Sequence, residues 1–339
     1  MENNKILAVT SGVILVVIIG LILRLAKPVF FPFFLAIFFN FILSPVLDFL
    51  MRLKIPKPIA IFFIIVVAFC VLYLLGILIY TSGKEFAASI PQYGKQINSL
   101  FHSLLEKIGL AKVSWDPWAW SKSLDVNKVT ALVVSSLDRI FSFFSTFSLI
   151  FVFLIFMLAG RSKLTAKVEK SFHSERAKKI NQIIENIDSQ IQKYLIIKTG
   201  ISLISGVFTA SVLVIFGVRY AIIFGFLTFL LNYVPSVGSI IAIAFSCLAA
   251  AFQLGSFWPA LWVLLILIIL DVFLANFIEP KLMGQGLGLS PLVVLFSLIF
   301  WGWLWGIPGM ILAVPLLAVI KIICSNIPSL QFIAEIMSS

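Results

Sequence analysis

The chain has 339 residues, of which 61% are apolar and only 12% charged. Its mean hydropathy of +1.14 lies far outside the range of soluble domains, which sets aside every water-soluble class of function. The net charge of +11 therefore does not point to nucleic acid; in a membrane protein it is read through the asymmetry of the loops.

Taken in chain order, the first run is Ile6–Leu23. It is longer than the apolar core of a signal peptide, and Arg24-Leu25-Ala26-Lys27-Pro28 offers no small-residue cleavage site, so it reads as a retained first helix. Spans at 28–50 and 57–80 follow, with Pro28 and Pro58 near their starts, where a missing N–H costs nothing. Residues 1–80 thus hold helices one to three. Residues 81–138 form an extracytoplasmic excursion. Phe86, Ile90, Tyr93, Ile97, Leu100, Phe101, Leu104 and Ile108 recur there at the spacing of one helical face. Trp115, Trp118 and Trp120 then suit a segment resting among lipid headgroups. A fourth span covers 139–160. Residues 161–194 form a second, basic excursion, with Ile180, Ile184, Ile187 and Ile191 on one stripe of an amphipathic helix.

The C-terminal region divides into two units, 195–256 and 257–339 with its tail. Each has one plain span (195–216 or 257–278) followed by one broken apolar segment (221–252 or 291–324). The first break falls at Asn232, Pro235 and Gly238, the second at Gly306, Pro308 and Gly309. As helices these segments would be about 48–51 Å long, too long for a hydrocarbon core of about 30 Å, whereas each half is too short to cross it. Non-helical backbone at membrane depth survives only where protein or a water-filled cavity surrounds it. A matched pair of such segments points to a transporter's binding site.

Orientation follows from charge. Residues 161–194 carry eight basic side chains against four acids, while 81–138 carry six lysines against five acids. The positive-inside rule places 161–194 and Arg52, Lys54 and Lys57 in the cytoplasm, and with them both termini. The two C-terminal units then point opposite ways, the pattern of an inverted repeat whose tips converge near the midplane, each broken segment being a re-entrant hairpin or a helix unwound at its centre. The expected fold is all-α and polytopic, with about six full spans and two broken hairpins.

Four runs carry a resemblance. Phe224-Gly225-Phe226-Leu227-Thr228-Phe229-Leu230-Leu231-Asn232-Tyr233-Val234-Pro235-Ser236-Val237-Gly238 resembles the central motif of the autoinducer-2 exporter family of bacterial membrane proteins. So does Asn276-Phe277-Ile278-Glu279-Pro280-Lys281-Leu282-Met283-Gly284, with Gly288-Leu289-Ser290-Pro291 and Trp305-Gly306-Ile307-Pro308-Gly309-Met310 after it. The resemblance implies an oligomeric transporter of the inner membrane. It leaves the cargo open between the quorum-sensing signal and sodium/proton exchange.

Asp271 is the leading candidate for ion chemistry. It lies about two-thirds along the 257–278 span, where an ionisable group costs at least about 2.5–3.5 kcal/mol and is a functional candidate by default; the alternative is a carboxyl that only caps the exposed backbone of a hairpin. On a regular helix Asn276 is offset from Asp271 by about 140°, and Glu279 by about 80°. Glu279 also suits a solvated cytoplasmic boundary, and Lys198 suits a side chain that snorkels to the surface. Asn232 can coordinate an ion or cap the broken helix. With Pro235, Gly238, Gly306, Pro308 and Gly309, these residues form the expected substrate- or ion-binding set. No cofactor or metal is expected: Cys70, Cys247 and Cys324 lie inside apolar runs at no ligand spacing. His102 and His173 are the only histidines, and no zinc-protease or P-loop motif is present. The expected partners are a small solute or ion, the bilayer and further copies of the chain. A passive channel or scaffold is the remaining alternative.

Overall fold

A computed structural model describes residues 18, 20–107, 147–160, 167–171, 174–284 and 287–338. Most of the first expected span, the tryptophans of the 81–138 excursion and the start of the 139–160 span lie outside these residues. Among the described residues the regular structure is helical, and one isolated bridge joins Leu289 to Ser338. Among the described residues, six helices are long and apolar enough to cross a membrane, and three shorter apolar helices accompany them. The protein is an all-α, polytopic membrane protein.

Helix α1 spans Lys27–Arg52 and carries Pro32 and Pro45 in its interior. Helix α2 spans Lys57–Lys107, 51 residues without a break. At about 1.5 Å per residue it is more than twice the thickness of a hydrocarbon core. The helical periodicity at 86–107 therefore continues the third span's own helix. Helix α3, Phe147–Gly160, buries Ile150, Leu154 and Leu158 at four-residue spacing. Helix α4 repeats the behaviour of α2: Ser174–Ile215 is a single helix of 42 residues. It joins the amphipathic stripe of the basic excursion to the fifth span, with Ile191 and Leu195 fully buried where the two meet.

The contacts divide the chain into two compact units. One contains residues Met1–Val66, Ser145–Leu195 and Gln285–Ser339. Its C-terminal part is a hairpin of α9 (Pro291–Trp305) and α10 (Ile307–Asn326), separated by Gly306 alone at φ 76°. That left-handed turn is one that glycine adopts without steric cost. The arms run antiparallel: Ser297 Oγ donates to the Ala313 carbonyl at 3.2 Å, and Met310 lies against Gly302. Nearer the turn, a Cβ on Gly309 would stand 2.1 Å from the Trp301 carbonyl oxygen. Trp301 and Trp305 pack with Phe31 and Phe34 of α1, and Trp305 Nε1 donates to the Leu23 carbonyl at 3.4 Å. The short α11, Gln331–Ile336, returns the chain so that Ser290 N donates to Met337 O at 2.9 Å.

The other unit contains residues Val67–Phe144 and Ile196–Gly284. Here α5 (Ala221–Leu231) and α6 (Val237–Leu254) form the first hairpin. Ala221 and Phe224, at the start of α5, share a core with Ala249 and Ala250, at the end of α6. At the opposite end Gly238 abuts Leu231, so these arms are antiparallel too. Helix α7, Phe257–Phe273, passes through a π turn at Leu274–Ile278 into the short α8, Glu279–Met283.

Candidate functional site

Lys198, Ser202, Ser205 and Thr209 stand four, three and four residues apart on α4, which puts them on one helical face. All are buried, between 0% and 5% exposed. In lipid an inward polar stripe needs partners, because no water is present to satisfy it. The break of the first hairpin supplies one, Asn232 Nδ2 donating to Ser202 Oγ at 3.2 Å, and beside the stripe the Tyr233 hydroxyl donates to Thr199 Oγ1 at 2.7 Å.

Backbone geometry explains why the hairpin turns here. Ser236 has φ 59° and ψ −52°, and Val237 N reaches back to the Pro235 carbonyl at 2.6 Å. That is a γ-turn of the rare, strained hand. Immediately after it, a Cβ on Gly238 would stand 1.7 Å from the Leu231 carbonyl oxygen, so this position admits only glycine. Gly206 of α4 and Gly225 of α5 face each other, each so close that a Cβ would fall within 2.6 Å of the other's carbonyl oxygen. Small residues are what let membrane helices approach to backbone contact.

The third wall comes from α7 and α8. Pro280 has no N–H for the Asn276 carbonyl, and its ring clashes with that carbonyl in a regular helix. The chain answers with the π turn, in which Glu279 N donates to Leu274 O, five residues back. One extra residue is spent in the turn, so the eight residues from Asp271 to Glu279 rotate like seven. Their offset falls from about 80° to about 20°. Both carboxylates thereby share a face. Glu279 receives Lys198 Nζ at 2.8 Å and 3.0 Å through its two oxygens. Ser239 of α6, whose hydroxyl donates to the Ser236 carbonyl at 3.3 Å, stands beside the Asp271 carboxylate, on which the charges of Lys198 and Glu279 also act.

The structure therefore brings Asn232, Asp271 and Glu279 into one polar cluster, with Pro235 and Gly238 shaping the turn beside it. Asn276 is exposed and stands apart. Gly306, Pro308 and Gly309 belong to the other unit, where they shape the second hairpin. Two expectations are corrected. Lys198 does not snorkel: it is 4% exposed because Glu279 holds its ammonium. For the same reason Glu279 is not a solvated boundary residue. Sequence reasoning also missed Ser202, Tyr233 and Ser239. The spacing of Lys198, Ser202, Ser205 and Thr209 was the signal available, and Pro280 was the signal for the π turn.

Chemically the cluster holds two carboxylates and one ammonium, an arrangement for hydrogen-bonding donors and small cations. Among the described residues no three His, Cys, Asp or Glu side chains group as a metal site would require.

Residues 12–329 match the family described as AI-2E family transporter. The chain belongs to the AI-2E family. A relative in Escherichia coli K12, named AI-2 transport protein TqsA, is 32% identical over 99% of this chain and 96% of its own length. A second, from Haemophilus influenzae and also named for transport, is 35% identical over 97% and 96%. A third, from Borreliella burgdorferi, is 29% identical over 94% and 87%. AI-2E membership makes the protein a membrane transporter and not an enzyme, acting on a solute from within the bilayer.

Proposed function

We propose that this AI-2E transporter is a secondary transporter that exports a small polar solute by alternating access, coupled to a monovalent cation bound at Asp271. The observation that carries the reading is the cluster of Lys198, Asp271 and Glu279 against the break of the first hairpin. Ionisable groups placed inside a membrane mark ion and substrate pathways, and broken helices supply such sites with free polar groups. The relative named AI-2 transport protein TqsA makes autoinducer-2 the first solute to test. In this reading both broken segments are re-entrant hairpins of an inverted repeat. The protein works as a homo-oligomer in the inner membrane, with both termini in the cytoplasm.

A second reading, sodium/proton antiport, draws on the same carboxylates, since two acids and one lysine suffice to exchange one cation for another. Reconstitution into liposomes separates the two. Under imposed pH and sodium gradients, uptake of labelled autoinducer-2 is measured beside sodium and proton flux. Signal movement coupled to an ion supports export. Ion exchange without signal movement supports the antiporter. Absence of both overturns each reading.

A further inference from the structure

We infer that Lys198 is the resident counter-ion of the cluster and limits it to one monovalent cation per chain. The inference rests on the cation-coupled reading and adds its stoichiometry. From Ala221 to Leu270 the sequence contains no charged residue, so α5, α6 and nearly all of α7 bring no formal charge to the site. Arg219 is exposed and sits before the first hairpin, where its backbone N–H binds Gln253. Lys281 is exposed on α8, two residues beyond Glu279 and about 200° around the helix from it. Among the described residues, the charges that act on Asp271 are those of Lys198 and Glu279, and these three groups set the balance. With all three ionised it is one negative charge.

A net charge held away from water is costly, and a site so placed favours the occupancy that neutralises it. Lys198 engages both oxygens of Glu279, so the Asp271 carboxylate, which carries no such ion pair, is the group placed to meet the incoming ion. Hard oxygen ligands of this kind suit sodium, and the same carboxylate accepts a proton. In effect the protein carries a built-in second cation that never leaves.

The charge count makes an unusual prediction about rescue. Glu279→Gln removes one negative charge, Lys198 then neutralises Asp271, and cation binding falls to near none. Adding Lys198→Met to that variant restores one negative charge and so restores binding. Lys198→Met alone leaves two negative charges and raises the count to about two. The test uses the full-length protein in lipid nanodiscs, counting bound radioactive sodium per chain and, in parallel, proton uptake with a pH indicator. Which signal appears identifies the cation. A Glu279→Gln protein that still binds one cation overturns the inference, as does a double variant that fails to regain it. If Lys198→Met alone does not accumulate, those two variants still decide the matter. A wild-type protein that takes up neither sodium nor protons refutes the cation-coupled reading itself, a failure seen in the parent and not in the series.

Discussion

Lys198 and Glu279 are 81 residues apart in sequence, yet Nζ sits 2.8 Å from one carboxylate oxygen and 3.0 Å from the other. The lysine is almost wholly buried and the glutamate largely so. Removing one partner of such a pair strands the other. Lys198→Met is expected to destabilise the protein by about 3–5 kcal/mol, and replacing both, with Met and Gln, to recover most of that loss. Unfolding midpoints in detergent measure it. A double variant whose loss equals the sum of the two single losses would show that the two side chains are not coupled.

Asp271→Asn should abolish gradient-driven transport while leaving accumulation in the membrane intact. The amide has nearly the same shape and removes a costly charge. A structural carboxylate would give the reverse, lower accumulation with normal transport per surviving molecule. Transport in proteoliposomes, normalised to protein, distinguishes the two.

The two hairpin glycines make the sharpest packing prediction. Gly238→Ala and Gly309→Ala each drive a methyl against a backbone carbonyl, at 1.7 Å and 2.1 Å before relaxation. Each is expected to cost at least about 1–3 kcal/mol, the usual range for overpacking. Gly200→Ala is the matched control: it lies in α4 with nothing within 4 Å of the added carbon. It should be neutral or stabilise by up to about 1 kcal/mol. A Gly238→Ala protein as stable as Gly200→Ala would mean that the first hairpin turns less tightly than described.

If the breaks are re-entrant, single cysteines at Ser236 and Ile307 should resist membrane-impermeant thiol reagents added from either side. Each should still react with a small permeant reagent. Rapid impermeant labelling from one side would make the break an ordinary surface loop.

Most of the fold was legible because apolar runs and breaks are one-dimensional signals. Charge-free stretches gave the spans, and Asn232, Pro235, Gly306 and Pro308 marked the turns. Boundaries were less legible where nothing in the backbone changes. Hydropathy falls at Ser82 and rises near Leu195, yet α2 and α4 run straight through, since a polar surface does not interrupt helical hydrogen bonding. At the site, Asp271 was visible because its neighbours are apolar. Its alignment with Glu279 was legible only in part, because an ideal helix leaves them about 80° apart and the closer match comes from a π turn forced by Pro280. Lys198 was misread for a related reason. A lysine near a span's end has an inexpensive way out, and only the placement of Glu279 shows why it stays in.

That placement has a consequence for biosynthesis. Lys198 leaves the ribosome 81 residues ahead of Glu279, an interval of about 4–16 s at ordinary rates of chain growth. Until then the ammonium has no Glu279 to meet, and holding it at the centre of the bilayer would cost about 2.5–3.5 kcal/mol. The flexible stem lets the charge wait at the headgroups. The outward posture expected from the sequence would then belong to the nascent chain, and the ion pair with Glu279 to the folded one.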